Sequence, residues 1–134
     1  MARIGIVGGF MTVKLGPILT WVFHEEIAIP DDVTNLLVAG EVALKAYKTI
    51  RDSAIFTDRR LIVRDVQGIR GKKVEIYSLP YANINMWSTE NASGFLDFTA
   101  EVELWTRAGH IKIELLKGID VRQFDKLIAN CVLK

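Results

Sequence analysis

The sequence predicts a mainly β domain: a strongly bent barrel of seven antiparallel strands, closed by one C-terminal helix. Between residues 41 and 115, short runs rich in β-branched and aromatic residues alternate with tight polar turns. Within several of these runs apolar and polar residues alternate with a period of two, which indicates half-buried antiparallel strands. After residue 118 the apolar residues recur at steps of three and four, which indicates an amphipathic helix.

The composition fits one domain with its own core. The chain has 134 residues, of which half are hydrophobic and a quarter are charged. At this size roughly 68% of the unfolded chain's surface can be buried. The net charge of +1 gives no general attraction to nucleic acid, so we expect no nucleic-acid partner. The single cysteine, Cys131, excludes an internal disulfide and favours a reducing, cytoplasmic location.

The strands of the barrel are predicted from the runs between turn residues. They are Glu41–Arg51, Ala54–Thr57, Arg60–Val66, Lys72–Leu79, Asn83–Thr89, Phe98–Trp105 and Ile111–Leu115. The Ala108-Gly109 turn predicts that the last two strands form a hairpin. The helix is predicted over Ile119–Leu133, with Asp120 as its N-cap. Its apolar stripe should pack on a sheet or close the barrel mouth, and consists of Val121, Phe124, Leu127, Ile128 and Cys131.

Residues 1–39 are predicted to be an apolar, helical N-terminal extension, and residues 40–134 the barrel domain. Apolar residues of the segment 4–23 fall on more than one helical face, and such a helix must be covered by another surface. Lys14 and Gly16-Pro17 interrupt the segment, which argues against a membrane span. The bulky residues 21–24 argue against signal cleavage. Pro30-Asp31-Asp32 predicts the start of a short helix that ends at Gly40.

A long run in the barrel region resembles the bacterial pleckstrin-homology (PH) domain family. The run is IRDSAIFTDRRLIVRDVQGIRGKKVEIYSLPYANI, and it continues to WSTENA. The resemblance extends from about Leu36 to the C-terminus, includes the helix start at Lys117–Asp120, and is most specific at Phe56–Leu61. It implies a PH-like barrel, a bacterial origin, a function unassigned for most members, and homo-oligomeric rings among some of them. Residues 93–98 depart from a more regular Gly-x-Phe-Asp pattern before the sixth strand.

Tryptophans and the apolar N-terminus are the candidate interface. Trp105 shares its parity with Glu101 and Glu103, so it should point away from the core. Exposed tryptophans are enriched at interface hot spots. The predicted interface residues are Ile4, Val7, Phe10, Met11, Leu15, Trp21, Trp87 and Trp105. Coverage of Trp105 by the extension of its own chain is an equally open alternative.

A basic cluster around the turn between the third and fourth strands is a candidate contact for anionic lipid. It consists of Arg64, Arg70, Lys72 and Lys73. A solvated turn is the favoured interpretation of the same residues. Where some PH domains bind phosphoinositides, the resemblance places Lys45, Lys48 and Arg51. The loop that follows these residues is very short, so we do not expect specific phosphoinositide binding.

The sequence contains no pattern that points to catalysis. The histidines, His24 and His110, belong to no metal-ligand spacing, and Cys131 lies in an apolar stripe. Glu101 and Glu103 share a face, but paired carboxylates on an exposed strand are usually just a polar surface. We therefore expect no enzymatic activity, no cofactor and no metal.

Two functions are consistent with these features. The favoured one is a non-catalytic, cytoplasmic scaffold or adaptor that self-assembles into a homo-oligomeric ring and binds another protein. The alternative is a peripheral module at the inner membrane, in which residues 4–23 insert as an interfacial helix and the basic turn contacts anionic lipid. The two differ in where the N-terminal segment is buried.

Overall fold

The computed structural model describes residues 2–7, 10–67, 73–90, 100–116 and 118–134. For residues 2–7, 10–15, 66, 67 and 73 it describes the backbone alone. The strands in these ranges are β1 (Ala2–Val7), β2 (Phe10–Leu15), β3 (Leu19–Phe23), β4 (Glu25–Ile27), β5 (Ala43–Lys48), β6 (Ser53–Thr57), β7 (Arg60–Gln67), β8 (Lys73–Pro80), β9 (Ile84–Glu90), β10 (Ala100–Thr106) and β11 (Gly109–Leu115). The helices in the same described ranges are two 3-10 helices (Asp31–Asn35 and Tyr81–Asn83) and α1 (Val121–Val132).

The strands form two main sheets and one separate hairpin. The five-stranded sheet has the order β4-β5-β6-β7-β8, and the four-stranded sheet has the order β3-β11-β10-β9. All pairs are antiparallel except β3 with β11. The seven strands β5 to β11, followed by α1, confirm the predicted fold class. Their bounds lie within a few residues of the predicted ones.

The helical extension predicted at the N-terminus is wrong. Residues 2–15 form the antiparallel hairpin β1–β2, and residues 19–27 form β3 and β4, which join different sheets. His24 separates β3 from β4, and its backbone N–H donates to Lys48 O at 2.7 Å. Ile4, Ile6, Val7, Thr12 and Val13 are β-branched, which favours extended backbone over a helix. Within the described residues, no helix has both the length and the hydrophobicity needed to cross a bilayer.

Aromatic rings form the centre of the core between the two sheets. Phe23 stacks on Tyr47 with a centroid distance of 5.7 Å, and Phe56 meets Tyr47 edge to face at 6.0 Å. Phe124 of α1 contacts all three rings at 5.3–5.9 Å. Its side chain is fully buried. The helix therefore closes the barrel through the apolar stripe that the sequence predicted.

A second apolar cluster lies on the opposite face of the five-stranded sheet. Val33 of the first 3-10 helix is fully buried against Ala46, Ile55 and Ile62. Leu36 and Leu37 pack beside them. The short helix predicted here exists and has the expected apolar side, although it is a 3-10 helix of five residues. Gly40 follows it with a φ of +82°, a conformation in which glycine is favoured.

Candidate interaction surfaces

The N-terminal hairpin has one face on which every residue is apolar. The pairs on this face are Ala2 with Leu15, Ile4 with Val13, and Ile6 with Met11. The pairs on the other face are Arg3 with Lys14, Gly5 with Thr12, and Val7 with Phe10. These assignments follow from the register, because paired residues share a face and successive residues alternate. A two-stranded hairpin is only marginally stable alone in water, so packing against another surface would stabilise it.

Four side chains form a row across the outward face of the four-stranded sheet, which we call the outer row: Ile18, His110, Trp105 and Met86. Trp105 and His110 are opposite each other, and their rings stack at a centroid distance of 5.0 Å and an interplanar angle of 4°. His110 Nε2 lies 2.8 Å from Glu103 Oε2. Met86 pairs with Trp105 on the other side. The backbone N–H of Ile18 donates to His110 O at 2.8 Å.

The outer row is the largest apolar part of a face that is otherwise polar except for Val22, the residue that pairs with Glu114. Met86 is 55% exposed and Ile18 is 49% exposed, while the ring pair between them is partly buried. Trp105 alternates with the buried side chains of Val102 and Leu104, in agreement with the predicted parity. Sequence reasoning missed Ile18, Met86 and His110, because their places beside Trp105 depend on the strand register.

Trp87 is held by the helix of its own chain. Its indole N–H donates to Asp125 Oδ1 at 2.9 Å, and the hydroxyl of Thr89 donates to the same oxygen at 2.7 Å. The ring is partly buried against the core. These contacts join the edge strand β9 to α1.

Trp21 lies in the core and not on an exposed surface. It is 5% exposed, and its ring centroid lies 5.8 Å from that of Tyr77. The parity of β3 places it with Phe23 on the inward side. Its indole N–H is buried without an acceptor among the described residues. Trp21 therefore belongs to the core and is not available to an interface.

Arg64 is committed to contacts within the domain. Its guanidinium donates from Nη1 to Asp32 Oδ2 at 2.8 Å and from Nη2 to Ser53 Oγ at 2.8 Å. Its Nε lies 3.3 Å from Asp52 Oδ1. Because the side chain is only 11% exposed, it attaches the first 3-10 helix to the sheet and presents little charge to a membrane.

Several predicted site residues have side chains that the structure does not describe. Arg70 and Lys72 lie outside the described residues, and Lys73 is described by its backbone alone. The same holds for the side chains of the hairpin residues. By register, Ile4, Met11 and Leu15 belong to the apolar face of the hairpin, and Val7 and Phe10 form a pair of the other face.

Lys45, one of the basic residues at the phosphoinositide position, is paired within the domain. Lys45 Nζ lies 3.7 Å from Glu26 Oε1, in a pair with the neighbouring strand β4. The turn after β5 is closed by two hydrogen bonds between Thr49 and Asp52, of 3.1 Å each. This tight turn leaves no long loop with which to surround a phosphorylated head group.

The motif Phe56–Leu61 serves the fold. Asp58 and Val42 exchange two hydrogen bonds: Val42 N–H donates to Asp58 Oδ1 at 2.8 Å, and Asp58 N–H donates to Val42 O at 2.9 Å. The hydroxyl of Thr57 donates to Glu41 Oε2 at 2.7 Å. Tyr81 Oη donates to Thr57 O at 2.6 Å. The β6–β7 turn is therefore the point where the segment before β5 and the second 3-10 helix are joined to the sheet.

The remaining polar groups that the structure describes have the character of surface or structural residues. A cleft of about 620 Å³ beside α1 is lined mostly by one side of the helix, including Arg122, Gln123 and Lys126. The carboxylate of Asp125 in this cleft already accepts the two hydrogen bonds from β9. The Cys131 thiol is buried, which raises its pKa and keeps it neutral. Among the described residues, no three His, Cys, Asp or Glu side chains cluster as metal ligands would.

Comparison with known families agrees with this architecture. The family described as Bacterial PH domain matches residues 13–132, from β2 to the end of α1. The chain belongs to the bacterial PH domain family. A PH-domain protein of the DUF1696 family from Shewanella loihica PV-4 is 36% identical, with a TM-score of 0.73 over 81% of this chain and 96% of that one. A PH domain from Shewanella amazonensis SB2B is 38% identical, with a TM-score of 0.64 over 77% of this chain and 84% of the other.

One curated relative is the uncharacterized protein YjqA of Bacillus subtilis (strain 168). It is 42% identical over 78 residues, which are 58% of this chain and 62% of YjqA. The matched part of this bacterial PH domain therefore spans less than two thirds of that relative. These similarities establish the family and the fold.

Proposed function

We propose that this bacterial PH domain is a non-catalytic scaffold or adaptor module that self-assembles into a homo-oligomeric ring and binds another protein. The observation that carries the proposal is the N-terminal hairpin, whose apolar face has three pairs of residues and which pairs with no other described strand. Burial of apolar surface is the dominant driving force for association. Other copies of the chain are always present in solution. Self-association is therefore the simplest way to cover the apolar face of the hairpin.

The polar groups support a non-catalytic role. Glu103 and His110 contact each other on the outer face, and Lys112 pairs with Glu101 at 3.0 Å. Cys131 is buried. An active site needs a nucleophile, a base and a group that orients them, all converging on one cavity. The described side chains of these types are instead distributed over the surface or engaged in structural contacts.

The test is the native mass of the full chain, measured by light scattering. Val13→Lys places a charge on the apolar face of the hairpin and is expected to reduce the oligomer to single chains. Thr12→Lys is the matched control, because this β-branched neighbour lies on the other face. A truncation, if used, should begin at Gly16, because β3 contributes Trp21 and Phe23 to the core. A wild-type chain that is a monomer at all concentrations would exclude the proposal.

Liposomes distinguish the membrane alternative. A scaffold is not expected to bind vesicles of anionic phospholipid at low salt. Cosedimentation that Val13→Lys abolishes and Thr12→Lys preserves would favour the membrane module instead. The basic turn contributes less to that alternative than its sequence suggested, because Arg64 is bound to Asp32 and Ser53.

A further inference from the structure

We propose that the β8 edge binds an extended segment of a partner protein, which adds to the five-stranded sheet as a further strand. The β8 edge is the side of β8 that faces away from β7, and its backbone groups are those of Val74, Ile76 and Ser78. The segment that fits it has apolar and basic residues in alternation. This inference rests on the adaptor part of the proposed function, and it names the surface and the chemistry of the partner.

β8 is the longest of the described strands that end the two main sheets. It has eight residues, whereas β4, β3 and β9 have three, five and seven. β9 is also joined to α1 through Asp125. Among the described strands, none pairs with the side of β8 that faces away from β7. An exposed edge of this kind is a template for the addition of a strand.

One hydrogen bond shows which backbone groups of β8 point away from β7. The N–H of Tyr81 donates to Arg59 O at 3.4 Å. This bond flanks the pair of Arg60 with Pro80, so that pair is one of those whose residues do not exchange hydrogen bonds. The two kinds of pair alternate along an antiparallel ladder, and the eight pairs of β7 with β8 follow one another without a shift. Every second residue of β8 before Pro80 therefore directs its N–H and C=O outwards.

The residues that point outwards by this alternation are Val74, Ile76 and Ser78. Proteins usually block an edge with a lysine, a proline or a bulge. None of these three positions has such a device, and Pro80 only ends the row. Each of the three residues offers one donor and one acceptor, so together they can form up to about six hydrogen bonds with an extended backbone.

The side chains at two of these positions are apolar and exposed. Val74 is 54% exposed and Ile76 is 46% exposed. They lie on the same side of the sheet as Ile62 of the second apolar cluster, because Ser78 pairs with Ile62. On an added strand, the residues directly beside Val74 and Ile76 contact them as cross-strand pairs, so apolar or β-branched residues are favoured there.

The other side of β8 carries an excess of negative charge. Glu75 lies directly opposite Asp65 in the register. Tyr77 Oη donates to Glu75 Oε1 at 2.8 Å. This hydrogen bond, partial burial and the charges of the two carboxylates raise the pKa of Tyr77. By parity Lys73 lies on the same side, and two carboxylates with one lysine favour a basic residue on the added strand.

A second copy of β8 fits this edge less well. In the antiparallel register that pairs all three outward residues, Ile76 lies opposite its equivalent in the copy, and the two Glu75 carboxylates are diagonal neighbours of like charge. A shift in one direction places the two Glu75 residues directly opposite each other, which is destabilising. A shift in the other direction brings Pro80, which has no N–H, into the ladder. A basic segment of a different protein is therefore the better occupant.

The probe is a synthetic peptide of eight residues, the length of β8, in which valine and lysine alternate. Hydrogen exchange of the full chain is followed residue by residue by NMR. We expect the peptide to slow exchange of the Val74, Ile76 and Ser78 amides about tenfold or more, because an added strand bonds these groups. The amide of Tyr77, which points to β7, is the internal reference. A peptide with the four valines before the four lysines is the control and should give no protection.

Ile76→Lys tests the apolar side of the edge. The lysine removes an apolar contact and repels the basic peptide, so binding should weaken about tenfold or more in fluorescence anisotropy. Leu44→Lys is the matched control, because Leu44 and Ile76 are both 46% exposed but β5 lies between β4 and β6. Circular dichroism melting checks that the variants are folded. Ile76→Thr, which stays β-branched, replaces a lysine variant that melts early.

Glu75→Lys tests the acidic side of the edge. This variant should prefer a peptide in which valine and glutamate alternate over the peptide of valine and lysine, which is the reverse of the wild-type preference. Glu25→Lys makes the same change in net charge at an exposed position of β4, at the opposite end of the same sheet. It should keep the wild-type preference. An unchanged preference in Glu75→Lys would contradict the inferred chemistry of the partner.

Failure of this inference is distinguishable from failure of the proposed function. If the wild-type chain is an oligomer in light scattering but binds neither peptide, the scaffold proposal stands and the β8 edge is not the docking site. If Val74 and Ile76 are protected without peptide and lose protection on dilution, a second copy occupies the edge and the inference is overturned. A monomeric chain that binds the alternating peptide through Ile76 and Glu75 supports the β8 edge and overturns self-assembly.

Discussion

Arg60 and Glu41 form a bidentate ion pair that attaches the segment before β5 to the sheet. Arg60 Nε donates to Glu41 Oε2 at 2.9 Å, and Nη2 donates to Oε1 at 3.0 Å. Arg60 Nη2 also donates to Leu36 O at 2.6 Å, and Nη1 donates to Ser78 Oγ at 3.0 Å. The Glu41 side chain is only 1% exposed. A structural role for Arg60 therefore explains the second arginine of the most family-specific motif.

Arg60→Ala is expected to destabilise the domain strongly. Removing the guanidinium leaves a buried carboxylate without its counter-charge, and breaking a buried pair costs about 3–5 kcal/mol. Arg60→Lys should have a smaller effect, because it keeps the charge but loses the two-pronged geometry. Urea unfolding of the three proteins measures the free energies. A loss below about 1 kcal/mol for Arg60→Ala would be typical of a surface pair and would contradict the assignment.

The same pair predicts how stability depends on pH. The hydrogen bonds from Arg60 hold the pKa of Glu41 at about 2, below its ordinary value of 4.5, although burial acts in the opposite direction. Because the folded state binds this proton less readily than the unfolded state, the stabilisation is complete above about pH 4.5. It is lost as the pH falls from there towards 2.

The measurement compares wild type with Glu41→Gln by urea unfolding at several pH values. Gln cannot ionise, so the stability advantage of wild type should be largest at neutral pH and shrink steadily below pH 4.5. An advantage that is the same at pH 7 and pH 3 would show that the charge of Glu41 does not contribute.

Arg64→Ala is expected to lower stability without changing affinity for vesicles. The variant removes hydrogen bonds to Ser53 and Asp32. A hydrogen bond that involves a charged group contributes about 1.5–3 kcal/mol to stability. We expect a loss of about 1–3 kcal/mol in urea unfolding. Arg107→Ala, in the exposed β10–β11 turn, is the control and should change stability by less than about 0.5 kcal/mol. If Arg64→Ala reduced cosedimentation with anionic vesicles and Arg107→Ala did not, the result would support the predicted contact of Arg64 with lipid.

Asp125→Ala is expected to loosen the helix from the edge strand β9. The carboxylate accepts hydrogen bonds from both Trp87 and Thr89, so truncation leaves two donors unpaired, at about 1–3 kcal/mol. Asp120→Ala is an informative comparison, because it removes the N-cap bonds to Arg122 and Gln123 on the same helix and should cost about 1 kcal/mol. Tryptophan fluorescence separates them: only Asp125→Ala should shift the emission of Trp87. Equal spectra would mean that the indole contact is unimportant.

The parts of the structure that the sequence predicts best are those governed by local periodicity. The alternation around Val102 and Leu104 placed Trp105 outside, and the stripe through Phe124 and Ile128 predicted how α1 packs. Both patterns repeat over enough residues that only one period fits them. The N-cap at Asp120 followed from an equally local signal, and the structure contains it.

The N-terminus was mispredicted because its apolar residues fit two periods. Ile4, Val7 and Met11 fit a helical stripe, but Ile4 and Ile6 also fit a strand. A stronger sequence signal was the pair Gly8-Gly9, because two glycines between runs of β-branched residues are a typical turn signal. Contacts such as Trp87 with Asp125 join residues 38 positions apart, and no local pattern specifies them. The outer row escaped prediction for the same reason, since it combines four strands.

Gly109→Ala tests whether the turn beside the outer row positions Ile18. Gly109 has a φ of +140°, and a methyl group there would lie 3.0 Å from Ile18 Cγ2. Gly118→Ala is the matched control, because its φ of +105° strains an alanine as well, but nothing lies within 4 Å of the added methyl. Both variants are expected to lose about 1 kcal/mol or more from backbone strain. Only Gly109→Ala must also displace Ile18, so this variant should lose more free energy of unfolding than Gly118→Ala when the two are compared by urea unfolding. Equal losses in both variants would mean that Ile18 yields to the added methyl group without cost and is not held by the turn.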